Sequence, residues 1–111
     1  MKSVIETKSG CIASAMLILG NKWTALILRD LHSSPVRFHE FEKSIKGINP
    51  RTLSKRLDDL EEMGIITKRK YQEVPPHIEY TLTKKGQDLS PILKQMANWG
   101  AKYHVKNCSG S

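Results

Sequence analysis

Basic side chains cluster in two short segments of this 111-residue chain, and their chemistry suits contact with a polyanion. The first segment covers residues 50–64, and its leading half contains Arg51, Lys55 and Arg56. Guanidinium and ammonium groups donate charge-assisted hydrogen bonds to phosphate, and arginine also binds guanine edges through two parallel hydrogen bonds. The trailing half is rich in aspartate and glutamate, which repel phosphate. This polarity predicts that the leading end of the segment approaches a nucleic acid.

A helix is the element that must position these basic groups. Leu53, Leu57 and Leu60 recur at intervals of three and four residues and form one apolar stripe. Asn49 is the predicted N-cap and Gly64 the predicted stop. Because successive helical residues turn by about 100°, the polar side chains face away from the leucines. The predicted major-groove residues are Arg51, Thr52, Ser54 and Lys55, with Arg56 directed to phosphate.

A β-hairpin is predicted directly after this helix, since the apolar period changes from 3.6 residues to two. Ile78, Tyr80 and Leu82 alternate with polar residues, which is typical of a strand with one buried face. Two prolines stiffen the tip near residues 73–76. The basic residues predicted to contact DNA backbone or minor groove are Lys68, Arg69, Lys70 and His77. Alone they would fit an ordinary solvated hairpin, but their place behind a basic helix favours DNA contact.

Three further helical patterns precede the basic helix. Residues 13–19 are nearly all apolar, which predicts burial on several sides, and residues 23–31 carry one apolar face. Phe38, Phe41 and Ile45 indicate a short third helix, so residues 38–63 form a helix-turn-helix. At this spacing Trp23, Phe38 and Phe41 are expected in the core rather than around a ligand. The predicted fold class is α+β, mainly α: a winged helix-turn-helix with an added N-terminal helix and a C-terminal dimerisation helix.

The C-terminal segment predicts a last helix with Thr83 as its N-cap and a kink near Pro91. Its apolar stripe exceeds what one small core needs, so we expect it to form a dimer seam with the first helix. The alternative is that both terminal helices only cap the monomer core. The predicted interface residues are Ala15, Leu19, Leu93, Met96 and Trp99. A two-fold dimer would place the two copies of the basic helix, which act as recognition helices, about 34 Å apart, the length of one DNA turn.

Composition agrees with a polyanionic partner. Lysine and arginine number 18 against 11 acidic residues, and the formal net charge is +7. An acidic protein or a membrane surface would also fit this charge. No apolar run reaches the roughly 18 residues of a membrane span, and the N-terminus lacks a secretion signal, so we predict a cytoplasmic protein. The predicted organisation is one domain, residues 11–104, between flexible tails at 1–10 and 105–111.

An enzyme is the competing class of function, and the sequence gives it little support. The four histidines and two cysteines show no metal-ligand spacing. No glycine-rich phosphate loop, nucleophile elbow or spaced carboxylate pair is present. We therefore expect no enzymatic activity, no cofactor and no metal. The remaining alternative is a winged helix that binds proteins, or nucleic acid without sequence preference, and has no sensor role.

Several separate motifs resemble the HxlR-type transcriptional regulators, which are MarR-like. The matching segments, in order, are Cys11 and residues 19–24, 26–28, 37–41, 48–57 and 74–83. The resemblance implies a homodimeric winged-helix protein that binds operator DNA, often near its own gene, and more commonly represses than activates. It also implies dimerisation through the first and last helices. Two departures are Ile12, where the family often has proline, and Asn21, where glycine or a basic residue is common.

Cys11 is the second candidate for chemistry, because some members of this family sense electrophiles, quinones or oxidants with the matching cysteine. A thiol at a helix N-terminus is stabilised as thiolate by unpaired amides and the helix dipole. The resemblance also implies a disulfide from Cys11 to Cys108 of the partner subunit, as certain members join N- and C-terminal cysteines. The residues alone leave open that Cys11 is a small buried residue and Cys108 an incidental exposed thiol. An oxidant or a small molecule is thus the expected class of effector.

Overall fold

The computed structural model describes residues 10–103, in which helices alternate with a small antiparallel sheet. In chain order the elements are α1 (Ile12–Leu19), α2 (Lys22–Leu31), β1 (Val36–Arg37), α3 (Phe38–Ser44), α4 (Pro50–Glu62), β2 (Ile66–Tyr71), β3 (His77–Leu82), α5 (Lys84–Gln87) and α6 (Ser90–Tyr103). The strand order is β1-β3-β2, and both pairings are antiparallel. The mainly helical winged helix-turn-helix predicted from the sequence is confirmed.

Local signals define both ends of α4. The Asn49 side chain accepts a hydrogen bond of 2.8 Å from the backbone N–H of Thr52, and Pro50 occupies the first helical turn, where no amide donor is lost. Gly64 follows the helix with a φ of 76°, a left-handed conformation that glycine adopts without a steric penalty. The predicted N-cap and stop are both confirmed.

The core lies where α2, α3 and α4 meet the sheet. The three leucines of α4 are buried together with Ile27 of α2. Phe41 of α3 packs at a tilt against Tyr80 of β3, with ring centroids 6.1 Å apart. The other two aromatics, Trp23 and Phe38, pack half-buried against this core. The prediction of a structural role for these aromatic residues is therefore confirmed.

The base of the hairpin is attached to the end of α4 by Thr83. Its hydroxyl donates to the carbonyl oxygen of Gly64 at 2.6 Å and accepts from the backbone N–H of Gly86 at 3.1 Å. Gly86 is buried, and a Cβ there would collide with the carbonyl oxygen of Ile65. These contacts fix the direction in which β2 and β3 leave the helix, and they confirm Thr83 as an N-cap.

The predicted kink near Pro91 is wrong. The segment after Thr83 forms two helices, α5 and α6, separated at Asp88 and Leu89. Pro91 is the second residue of α6, where its missing N–H costs no intrahelical hydrogen bond and no kink is needed. Strand β1 was also not foreseen, because its two residues carry no pattern of their own and form a strand only by pairing with β3.

The terminal helices are less buried than the rest of the fold. Leu17 of α1 is 80% exposed and Ile12 similarly so, which contradicts the predicted burial of this helix on several sides. Helix α6 contains no buried residue. Except for residue 10, the predicted tails at 1–10 and 105–111 lie outside the described residues. None of the helices between residues 10 and 103 is long and apolar enough to cross a membrane.

Candidate nucleic-acid interface

The leading end of α4 presents polar side chains on the surface opposite its leucines. Arg51, Ser54 and Lys55 are exposed, whereas Thr52 is half-buried. Thr52 also donates its backbone N–H to the side chain of the Asn49 cap. Four of the predicted groove residues therefore share one end of one helix, and this end carries positive charge.

Asp59, one helical turn after Lys55 and Arg56, forms ion pairs with both of these cations. Asp59 accepts from Lys55 Nζ and from Arg56 Nη1, each at 3.4 Å. The Arg56 side chain is half-buried, and its Nε has no hydrogen-bond partner. The sequence analysis did not predict these ion pairs, although the four-residue spacing of Lys55 and Asp59 is a recognised signal for an ion pair on a helix. A phosphate must compete with Asp59 for both cations.

The hairpin carries cations on both of its faces. Lys68 and Lys70 lie opposite Tyr80 and Ile78 of β3, on the face that turns toward the core. Lys68 Nζ is 3.7 Å from Glu61 Oε1, so this lysine connects the hairpin to α4. The connection places the cationic edge of the hairpin beside the helix, and the sequence contained no local signal for it.

The other face of the hairpin holds Arg69, Tyr71, His77 and Glu79. The Arg69 guanidinium lies 5.2 Å from the centre of the Tyr71 ring, and the Tyr71 hydroxyl donates to Glu79 Oε1 at 3.1 Å. His77 stacks on Tyr71 with ring centroids 4.8 Å apart, and its Nδ1 is 3.7 Å from Glu73 Oε1. Only 14% of the His77 side chain is exposed, so it packs within the hairpin more than the sequence indicated.

Cys11 occupies the N-cap position of α1. Its Sγ accepts a hydrogen bond of 3.4 Å from the backbone N–H of Ser14. Hydrogen bonding by the Ser14 side chain and backbone lowers the pKa of the Cys11 thiol below its ordinary value, since these donors stabilise the thiolate. Cys108, the proposed companion, lies outside the described residues. The described part of the chain contains no cluster of histidine, cysteine and acidic residues that fits a metal.

The five predicted dimer residues differ in burial and fall into three groups. Trp99 is 60% exposed and Met96 is also exposed, whereas Ala15 and Leu93 are half-buried. Leu19 is a correction: only 8% of it is exposed because it belongs to the monomer core, so it has little surface to offer a partner.

The family model described as HxlR-like helix-turn-helix matches residues 18–107. This chain belongs to the HxlR-like helix-turn-helix family. It is therefore a transcriptional regulator of the helix-turn-helix type. The relatives of this HxlR-like chain are transcriptional regulators, which is not an enzymatic role.

Individual relatives agree with the family assignment. The helix-turn-helix regulator YdeP of Bacillus subtilis is 39% identical over 95 residues, covering 85% of this HxlR-like chain and 74% of YdeP. A MarR-family regulator structure from Porphyromonas gingivalis superposes with a TM-score of 0.80 and 34% identity, covering 84% and 91% of the two chains. The redox regulator HypR in its oxidised form gives a TM-score of 0.78 and 34% identity, with 82% and 94% covered.

Proposed function

We propose that this protein is a homodimeric repressor that binds operator DNA with α4 in the major groove and the β2–β3 hairpin beside it. The charge polarity of α4 carries the proposal. Its exposed cations, Arg51 and Lys55, lie at the leading end, whereas Asp58 and Glu62 are exposed at the trailing end. Because phosphate attracts one end and repels the other, only one orientation of the helix on DNA is favourable.

Different side chains have different roles in this complex. Arg51, Ser54 and Lys55 are exposed at the end of the helix that enters the groove, and they contact base edges together with Thr52. Arg56 binds phosphate after exchanging Asp59 for a phosphate oxygen. The hairpin contacts the backbone or the minor groove through Lys68, Arg69, Lys70 and His77. Of these, His77 contributes least because it is stacked on Tyr71.

The exposed apolar surface of the terminal helices supports the dimer. Ile12 and Leu17 are exposed on α1, and Ile92, Met96 and Trp99 are exposed on α6. Ile92, Met96 and Trp99 recur at four- and three-residue spacing on one face of α6, and exposed apolar patches of this kind mark contact surfaces. A two-fold axis through them brings two copies of α4 onto successive turns of one DNA face, about 34 Å apart.

Cys11 makes the protein responsive to oxidants in this proposal. The lowered pKa of its thiol increases the thiolate fraction at neutral pH, and the thiolate is the form that reacts with electrophiles. HypR, which is described as a redox regulator, shares this fold. We propose that the oxidised protein contains a disulfide between Cys11 and Cys108 of the partner subunit.

DNA binding is tested by fluorescence anisotropy with a duplex from upstream of the gene and a scrambled duplex of equal composition. We expect a preference for the upstream duplex. Arg51→Ala and Lys55→Ala should each weaken that preferred complex by about 1–3 kcal/mol, because each variant removes a base contact. Lys84→Ala, which removes an exposed lysine from α5, is the matched control and should change affinity little.

Two outcomes count against the DNA-binding proposal. If Arg51→Ala and Lys55→Ala both leave the affinity for the upstream duplex unchanged, α4 is not the element that recognises DNA. If the protein binds both duplexes equally weakly, and Lys55→Ala and Lys84→Ala lose the same amount of affinity, it binds nucleic acid without sequence preference.

Redox sensing is tested on the same duplex after treatment with diamide. We expect oxidation to reduce operator affinity in the unchanged protein but not in Cys11→Ser. Cys108→Ser distinguishes an intersubunit disulfide, which needs both cysteines, from a modification of Cys11 alone. Ser14→Ala should raise the pKa of the Cys11 thiol, measured from the pH profile of iodoacetamide alkylation, because the hydroxyl no longer stabilises the thiolate. If diamide does not change operator affinity, the proposal of redox sensing by Cys11 is wrong, whereas the proposal of a DNA-binding repressor is unaffected.

A further inference from the structure

Glu79 lies between two arginines on the face of the sheet that points away from the core. In the register of the strands, Arg69 of β2 lies directly opposite Glu79 on one side, and Arg37 of β1 lies opposite it on the other. Residues directly opposite each other in an antiparallel pair have Cβ atoms about 5 Å apart, which allows an arginine and a glutamate to form an ion pair. None of the ion pairs among residues 10–103 includes Glu79 or either arginine.

Tyr71 is the partner that Glu79 has instead. It follows Arg69 by two residues on the same face of β2 and lies diagonally across from Glu79, a separation that aromatic and long side chains can span. Its hydroxyl donates to Glu79 Oε1 at 3.1 Å, and the centre of its ring is 5.2 Å from the Arg69 guanidinium. Tyr71 therefore contacts both members of the absent ion pair, the carboxylate through its hydroxyl and the guanidinium through its ring.

These contacts leave the positive charge of Arg69 unbalanced on an exposed side chain. An aromatic ring has no net counter-charge, whereas a carboxylate would neutralise the guanidinium and occupy up to two of its five N–H donors. Three other cations proposed to contact DNA already have a carboxylate partner, namely Lys55, Arg56 and Lys68. Arg69 therefore offers a phosphate a charge for which no carboxylate of the described chain competes directly.

We propose that Tyr71 is a positioning residue that binds Glu79 and so keeps Arg69 available to a DNA phosphate. Without the hydroxyl, the Glu79 carboxylate turns to the guanidinium opposite it and neutralises Arg69. Arg37 is the weaker competitor for Glu79, because it already has a carboxylate close by: Glu40 Oε1 accepts the backbone N–H of Arg37 at 2.8 Å. This role of Tyr71 rests on the proposed contact between the hairpin and DNA.

The first test compares Tyr71→Phe with the unchanged full chain on the upstream duplex, by fluorescence anisotropy over a series of salt concentrations. Phenylalanine keeps the ring beside Arg69 and loses only the hydroxyl. We expect Tyr71→Phe to weaken binding about three- to tenfold and to reduce the salt slope by about one, because one phosphate contact is lost. Tyr103→Phe, which removes a hydroxyl at the end of α6, is the matched control and should change neither quantity.

Glu79→Gln distinguishes positioning from a purely structural role. Glutamine can still accept from the Tyr71 hydroxyl, but it cannot neutralise a guanidinium. Tyr71→Phe/Glu79→Gln should therefore bind DNA at least as tightly as the unchanged protein, and in an Arg69→Ala background Tyr71→Phe should have no further effect. If the hydroxyl only stabilised the hairpin, the double variant would bind no better than Tyr71→Phe, and that result would overturn the proposal. Unchanged affinity in Tyr71→Phe, as expected if the freed Glu79 pairs with Arg37, would also overturn it.

Retention on a heparin column separates the role of Tyr71 from the repressor proposal. Heparin is a polyanion without bases, so the salt concentration at elution reports the available positive charge whether or not the protein prefers the upstream duplex. Tyr71→Phe should elute at lower salt than the unchanged protein, and Tyr71→Phe/Glu79→Gln should not. This heparin pattern without a preference for the upstream duplex would contradict the repressor proposal alone. Elution of all three proteins at the same salt, with that preference intact, would contradict the role of Tyr71 alone.

Discussion

Helices α4 and α6 have nearly the same length and different surroundings. The 13 residues of α4 include three buried leucines, whereas none of the 14 residues of α6 is buried. Both sequences carry an apolar stripe at helical spacing. The stripe of α4 meets α2 and the sheet within the same chain, but much of the stripe of α6 faces outward. An amphipathic pattern therefore shows that a helix needs a partner, and it leaves open which chain provides that partner.

This difference divides the molecule by function. Residues 22–86 form a platform in which Thr83 and Lys68 attach the hairpin to the trailing end of α4. The terminal helices present the exposed apolar surface. We infer that the platform reads DNA, whereas the terminal helices carry assembly and response.

The largest expected effect is in the platform. Leu57→Ala should lower the free energy of unfolding by about 2–5 kcal/mol, because it leaves a cavity in a closely packed core. Urea denaturation followed by circular dichroism measures the change. Val74→Ala, at a hairpin-tip residue that is 98% exposed, is the control and should be nearly neutral. A similar loss in both variants would contradict the packing described for α4.

The next effect concerns assembly. Trp99→Ala should weaken the dimer by about 2 kcal/mol, or roughly 30-fold, because an exposed tryptophan on an apolar surface is a typical interface hot spot. Sedimentation equilibrium gives the dimer dissociation constant, and Gln95→Ala on the same helix is the control. If Trp99→Ala instead lowers stability without changing the oligomeric state, α6 belongs to the monomer core and the comparison with α4 fails.

A smaller effect is expected at the start of α4. Asn49→Ala should cost about 1 kcal/mol of unfolding free energy, since the backbone N–H of Thr52 loses its acceptor. Asn49→Asp keeps an acceptor at this position and should retain most of the stability. Thermal unfolding resolves the two variants. An equal loss in both would show that the cap does not stabilise this helix.

The smallest effect depends on pH. Burial raises the pKa of the Tyr80 hydroxyl above its ordinary value of 10.0, and Asp58 and Glu61 raise it further. The folded state therefore holds this proton more tightly than the unfolded state, so stability is retained below about pH 10 and falls as pH rises through the folded pKa. In Tyr80→Phe this decline should be absent. Parallel curves for the two proteins between pH 9 and about pH 11 would contradict the shift.

Features determined by nearby residues were predictable from the sequence. The Asn49 cap, the Gly64 stop and the leucine stripe all depend on residues within a few positions of each other. Other features depend on residues far apart in the chain, for which no local pattern exists. Examples are the pairing of β1 with β3 and the contact between Lys68 and Glu61. The apolar character of Leu19 does not distinguish a monomer core from a dimer interface, so its sequence position alone does not reveal that it is buried within the monomer.

The two copies of α4 in the proposed dimer bind DNA one helical turn apart. Hydroxyl-radical footprinting on a duplex selected from a random-sequence pool by repeated binding tests it directly. We expect two protected patches on one face of the duplex, with centres about 10 base pairs apart, and loss of both patches in the Arg51→Ala/Lys55→Ala double variant. A single protected patch, uniform protection, or an unchanged footprint in the double variant would contradict it.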